Sequence, residues 1–160
     1  MDALHELFQH HAWATMTLID HCAGLRPEQL QATAPGTAGT IYHTLVHLVA
    51  ADGRYLYLLT GRPQVVRESA PPSIAELRDH FAAQIKVWES VLNEASTLDV
   101  TIPARGDTPD IPHATNLLLV QALHHGNDHR THICTILGAG GQPTPDLSGW
   151  GYWAHTHLAG

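Results

Sequence analysis

The sequence predicts an all-α protein, an antiparallel four-helix bundle with a short C-terminal extension. Four segments carry apolar residues at spacings of three and four, and clusters of glycine and proline separate them. Little of the chain has the alternating pattern of a strand. With 160 residues, the chain has the length of one domain, which we assign to residues 1–160. The aromatic tail after residue 148 is expected to pack back as a short helix or turn.

The first two predicted helices have clear ends. The first spans about residues 2–24, with Asp2 as its expected N-terminal cap, and a glycine ends it. A loop rich in small residues follows, because alanine, threonine, proline and glycine dominate there. The second helix spans about residues 41–60, with Thr40 as its cap and Gly61 at its end.

The third and fourth predicted helices follow longer connections. The third spans about residues 74–96, and Ser73 with Glu76 forms a capping box at its start. Three prolines prevent residues 97–112 from forming one helix. The fourth helix spans about residues 115–137, and three glycines and two prolines follow it.

Composition excludes several classes of function. The net charge is −7 and the eight Lys and Arg residues are dispersed, which argues against nucleic-acid binding. No apolar run approaches the roughly 20 residues that span a bilayer. The N-terminus lacks the pattern of a secretory signal, so we expect a cytoplasmic protein. Cys22 and Cys134 are then expected to be free or buried thiols.

Histidine is the residue type that points to chemistry, since the chain has 14 of them. Four lie within residues 124–132, and His125 and His129 stand one turn apart on one helix face. Neutral imidazole is the commonest protein ligand for divalent metals. His47 in the second helix is the best third ligand, although His43 one turn earlier could face inward instead. The spacing predicts a metal held by His47, His125 and His129, with a metal-free polar core of histidines as the alternative.

Neighbouring residues suggest supporting roles. His132 could be a fourth ligand or a hydrogen-bond partner of a ligating imidazole. Asp128 or Asp52 could orient a ligating imidazole. Asp128 and His132 are also candidates for the base of a reaction. Gly126 between the paired histidines indicates a close backbone approach or access to the ion. The pair lacks the glutamate of the HExxH protease motif. Other histidines lack such spacing and are expected to be mostly solvated: His5, His10, His11, His21, His80 and His113.

Two motifs together resemble the DinB/YfiT-like family of proposed metalloenzymes. Residues 40–52 look like the second helix of that family, and residues 125–133 are similar to its H-x-x-x-H-R-G-Q-I/V pattern. The resemblance covers nearly the whole chain. The metal triad of the family falls on His47, His125 and His129. Arg130 stands at the family arginine, which supports the helix or an interface, whereas Thr131 and His132 replace the usual Gly-Gln.

The resemblance also implies a function and partners. Family members are four-helix bundles, often homodimers, that bind nickel, zinc or another divalent ion. Members of known activity are thiol-dependent transferases or isomerases that use mycothiol, bacillithiol or glutathione. We therefore expect a metal-dependent enzyme, of S-transferase, isomerase or hydrolase type, that acts on a small electrophilic molecule. The alternative is a non-catalytic metal-binding protein of the stress response. Trp150, Tyr152 and Trp153 are expected either to pack in the core or to wall a pocket.

Overall fold

The computed structural model describes residues 3–158, and within this range the chain is helical with only isolated β-bridges. The prediction of an all-α helical bundle is therefore confirmed. No helix in this range is long and apolar enough to cross a membrane. Four helices are long and two are short: α1 (Ala3–Ala23), α2 (Pro27–Leu30), α3 (Ile41–Thr60), α4 (Ile74–Glu94), α5 (Thr115–Ala139) and α6 (Gly149–Leu158).

The helix ends follow the local signals in the sequence. Thr40 accepts a hydrogen bond from the His43 amide, with 3.1 Å between oxygen and nitrogen. Gly61 ends α3 in the left-handed region at φ 72°, which only glycine adopts without cost. Ser73 and Glu76 form the predicted capping box at the start of α4. Asp2, the predicted cap of the first helix, lies outside the described residues.

The four long helices form a ring in which α1 and α3 each pack against α4 and α5. The diagonal pairs are therefore α1 with α3 and α4 with α5, whereas α3 and α4 are neighbours. Phe8 packs on Trp88 near one end of the pair α1 and α4, and Asp20 pairs with Arg78 near the other end, so these two helices are antiparallel.

The second antiparallel pair is α3 with α5, and it positions the histidines. His47 near the start of α3 lies against His129 in the second half of α5, and Tyr55 near the end of α3 receives a hydrogen bond from Gln121 earlier in α5. The other two neighbouring pairs, α1 with α5 and α3 with α4, run parallel. The connection of residues 61–73 returns the chain along the length of the bundle, because α3 and α4 run parallel. Residues 95–114 instead cross from α4 to α5 at one end, where Leu92, Val100 and Leu118 belong to the same apolar cluster.

Two apolar clusters fill the interior, one near each end of the bundle. One cluster includes Leu18 of α1 and Phe81 of α4, and the other includes Phe8 and Trp88 of the same two helices. Between them lies the buried ring of His11, whose centroid is 6.1 Å from that of Phe8 and 6.3 Å from that of Phe81. The bundle core therefore contains a polar layer at its middle.

The C-terminal extension packs back as a short helix, as the sequence predicts, and it lies on the outside of α1. The ring of Trp13 lies 5.4 Å from that of Tyr152 and 5.7 Å from that of His155. Trp150 is 83% exposed and Trp153 is 49% exposed, so neither belongs to the core. The aromatic tail thus covers one helix face, on the side of the bundle formed by α1.

Candidate metal centre

Three imidazoles meet between α3 and α5. α3 supplies His47 and α5 supplies His125 and His129, and each offers a nitrogen within 4.8 Å of those of the other two. The Nε2 atoms of His47 and His125 are 3.1 Å apart. Two nitrogens on a tetrahedral zinc ion with bonds of about 2.0–2.1 Å would be roughly 3.3 Å apart. The structure thus brings together the three residues that the spacing selected, at separations that suit one ion.

Glu68 holds the imidazole of His47 in place. It lies in the connection between α3 and α4, and its Oε1 accepts a hydrogen bond from His47 Nδ1 at 2.9 Å. The proton then resides on Nδ1, which leaves the Nε2 lone pair directed at His125. A carboxylate that fixes the tautomer of a ligating imidazole is a common feature of metal sites. Glu68 could not be identified from the sequence, since no spacing rule connects a loop residue with a helical residue 21 positions earlier.

The paired histidines of α5 are held in the neutral state. Burial, followed by the charges of His125 and His47, lowers the pKa of His129 to about 4. Burial, followed by His47, also lowers the pKa of His125. The Nδ1 atoms of both rings are buried and have no hydrogen-bond partner within residues 3–158. A divalent ion binds the neutral form of imidazole, so the lowered pKa values suit these two rings to bind one.

The other residues proposed near the metal lie around this cluster. The ring of His132 is 5.5 Å from that of His129 and lies outside the group of three. Asp128 is exposed on α5, where its charge acts to raise the pKa values of His125 and His129. His43 is exposed, with Nε2 3.6 Å from a Glu68 oxygen. Within the described chain, the carboxylate that bonds directly to a cluster imidazole is that of Glu68.

A buried polar network lies directly behind the cluster. Arg130 Nη1 donates hydrogen bonds to His11 Nδ1 at 3.1 Å and to Thr15 Oγ1 at 2.9 Å. His11 Nε2 in turn donates to Asp52 Oδ2 at 2.9 Å. His11 must therefore be neutral with its proton on Nε2. The network joins α1, α3 and α5, so Arg130, which follows His129 in the chain, is fixed against two other helices.

The expectation that His11 is solvated is wrong, because only 1% of its surface is exposed. Its position on the apolar stripe of the first helix was the sequence signal for burial. Space for its ring comes from Gly126, where an added Cβ would collide with the ring of His11. The close backbone approach predicted at this glycine thus has a specific cause. Arg130 lies inside the bundle, where burial lowers its pKa to about 10.

A polar cavity of about 460 Å³ opens beside His47. Small residues of α3 form one wall and the connection after α3 forms the other. The residues that line it are His47, Ala50, Ala51, Arg54, Gln64, Arg67, Glu68 and Ser69. Of the three histidines of the cluster, His47 lines this cavity, and its side chain is 30% exposed.

The chain's own thiols are poorly suited to act as nucleophiles. Cys22 is fully buried, and burial raises its pKa to about 12. Burial also raises the pKa of Cys134. A reactive cysteine needs a lowered pKa and access to its substrate, and neither cysteine has a lowered pKa.

Comparison with protein families gives one informative match. The model of the DinB superfamily matches residues 10–133, a span that contains all three histidines of the cluster and the polar network behind it. A comparison with curated proteins finds no match. The family match and the geometry of the cluster are therefore the basis for interpreting this site.

Proposed function

The chain belongs to the DinB superfamily, and from this membership and the histidine cluster we propose that it binds a divalent metal ion, nickel or zinc. His47, His125 and His129 would hold the ion. The donor set supports this assignment, since three imidazoles converge and one of them is held by a carboxylate. The Nε2 atoms of His47 and His125 face each other at 3.1 Å, a separation that suits two ligands of one ion.

We further propose that the protein is a metal-dependent enzyme that acts on a small electrophilic molecule. The observation that carries this proposal is the cavity beside His47, which lies next to a group of only three ligands. Catalytic sites usually keep one coordination position open, whereas structural zinc sites are closed by four protein ligands. When bound, the ion would supply Lewis-acid chemistry, by acidifying a water or a thiol in that open position.

The residues of the chain have distinct parts in this proposal. Glu68 keeps the proton of His47 on Nδ1, so that Nε2 is available as a ligand. Burial keeps His129 neutral down to about pH 4. The network of Arg130, His11 and Asp52 fixes the position of α5 relative to α1 and α3. Since neither cysteine of the chain has a lowered pKa, a nucleophilic thiol would have to come from a small molecule, such as bacillithiol, mycothiol or glutathione.

Metal analysis of protein purified without an affinity tag tests the first part of the proposal. We expect about one equivalent of nickel or zinc in the wild type, and loss of this metal in His47→Ala and in His129→Ala. His124→Ala is the matched control, because His124 lies on the same helix but is exposed and outside the cluster. Protein that stays metal-free after exposure to both ions would refute the metal site.

Turnover tests the second part. The metal-loaded protein should conjugate or isomerise electrophilic small molecules with at least one of the three thiols, or hydrolyse them, and His47→Ala should abolish the reaction. Metal binding without turnover, together with strong stabilisation by the ion, would favour the non-catalytic alternative, a metal-binding protein of the stress response.

A further inference from the structure

Two arginines face the cavity beside the histidine cluster. Arg54 follows His47 by seven positions on α3, so both side chains lie on one helix face. Two helical turns separate them by roughly 10 Å along the axis. Ala50 and Ala51 lie between them and are small enough to leave the cavity open. The second arginine, Arg67, enters from the connection after α3, next to Glu68.

Neither guanidinium group has an acidic partner in the part of the chain that the structure describes. The ion pairs of arginine in this range are those of Arg26 with Glu28 and of Arg78 with Asp20. Arg54 and Arg67 form none. The Arg54 guanidinium lies over the ring of Tyr55, 5.8 Å from its centroid. Cations without an acidic partner that share a cavity with a candidate metal centre are suited to hold an anionic group of a ligand.

The charge balance of the cavity favours an anion as well. Glu68 is the carboxylate among the lining residues, and its two oxygens are directed at His47 and His43, at 2.9 and 3.6 Å. The cavity is therefore lined by two guanidinium groups and one carboxylate, and that carboxylate already has histidine partners. The chain as a whole has a net charge of −7 and only eight Lys and Arg residues. A local excess of positive charge on a chain of net negative charge makes this cavity a preferred site for anions, because the rest of the surface repels them.

We propose that this cavity binds the carboxylate of the small molecule whose reactive end lies at the histidine cluster, through Arg54 and Arg67. The guanidinium fork matches a carboxylate with two parallel hydrogen bonds. A volume of about 460 Å³ lies within the usual range of small-molecule sites. This inference rests on the proposed function, and it defines the substrate class as thiols or electrophiles that carry a carboxylate within roughly 10 Å of the reacting atom.

Two thiols of equal size test this proposal. 3-Mercaptopropionate and 3-mercaptopropionamide differ only in the charge of one end. Each is titrated into nickel-loaded protein while the thiolate-to-nickel charge-transfer absorption is recorded. The wild type should bind the carboxylate about tenfold more tightly than the amide. Arg54→Gln and Arg67→Gln should each lower this ratio, and the double variant should bring it close to one.

Two controls make the outcome specific. Binding of the amide should be equal in all variants, which shows that the metal site is intact. Arg62→Gln should leave the ratio unchanged, since Arg62 is exposed in the same connection but does not line this cavity. A wild-type ratio near one, or a double variant that keeps the wild-type ratio, would overturn the proposal.

A readout without metal separates this proposal from the proposed function. In chelator-treated protein, succinate should shift the Nε–Hε NMR signals of Arg54 and Arg67, while its diamide should not. Shifts in a protein that fails to bind nickel would refute the metal site and support the anion site. Nickel binding without any shift would support the metal site and refute the anion site.

Discussion

Replacement of Gly126 by alanine tests whether the polar network fixes α5. Gly126 lies in the middle of α5, and an added Cβ would be 2.7 Å from His11 Nδ1 and 3.0 Å from Arg130 Nη1. The His11 ring cannot simply turn away, because Asp52 and Arg130 hold its two nitrogens. The substitution must therefore either compress the packing or break the network.

The expected change in the free energy of unfolding is the sum of opposing contributions. Alanine favours the helix over glycine by about 1 kcal/mol. Compression of a well-packed site costs about 1–3 kcal/mol, and leaving a buried hydrogen-bonding group of the network unsatisfied costs about 1–3 kcal/mol, and more where that group is charged. We therefore expect Gly126→Ala to lower the free energy of unfolding by about 2 kcal/mol net. For a chain of this length, the melting temperature should then fall by about 4–8 °C.

Urea unfolding followed by circular dichroism, in the presence of chelator, measures this effect. Gly138→Ala is the control in the same helix, since a Cβ there meets no atom within 4 Å. It should leave the protein as stable or slightly more stable. In a His11→Ala background the obstacle is absent, so Gly126→Ala should become neutral or stabilising, which a double-mutant cycle reports as a coupling energy.

A Gly126→Ala protein as stable as the wild type would contradict a collision between the added Cβ and His11. So would a substitution that costs the same with and without the His11 ring, because the loss would then have another origin. A loss of stability in Gly138→Ala equal to that in Gly126→Ala would show that the helix tolerates no added Cβ anywhere, which likewise contradicts a local collision.

Two further predictions concern the metal centre. Glu68→Gln should weaken metal binding about 10–100-fold, since the amide cannot fix the tautomer of His47 as the carboxylate does. Competition with a chromophoric chelator measures the affinity, with Glu89→Gln on α4 as the control. Equal metal affinities of Glu68→Gln and the wild type would refute this prediction. The free energy of unfolding of metal-free protein should depend on pH through His129, whose pKa of about 4 lies below the ordinary 6.5. The unfolded chain binds more protons between these values, so stability is full above pH 6.5 and falls as the pH drops towards 4. His129→Gln should flatten this part of the pH profile, and an unchanged slope in that variant would contradict the assignment.

Much of the fold followed from local patterns. The apolar spacing located the four long helices, and the caps at Thr40, Gly61 and Ser73 are confirmed. These features depend on residues within a few positions of one another, which is why a sequence can specify them. The order of the helices around the ring could not be read in this way, because the long connections between them permit more than one arrangement.

The candidate site likewise has a part that the sequence predicted and a part that it could not predict. Helical periodicity placed His125 and His129 on one face, and the apolar surroundings of His47 made it the third candidate. The structure brings the three together, while their role as metal ligands stays a prediction. Arg130 was expected to support its helix or an interface, and it lies in the core with His11 as a partner.

The sequence by itself determined the helices, their caps and the paired histidines of α5, because backbone hydrogen bonding and helical periodicity are local. Only the tertiary structure decided that Glu68 holds His47, that His11 lies buried against Gly126, and that Arg54 and Arg67 share a cavity. Each of these contacts joins segments that are distant along the chain or lie on different elements. Their positions depend on how the helices pack and how the connections cross the bundle, and no spacing rule contains that information.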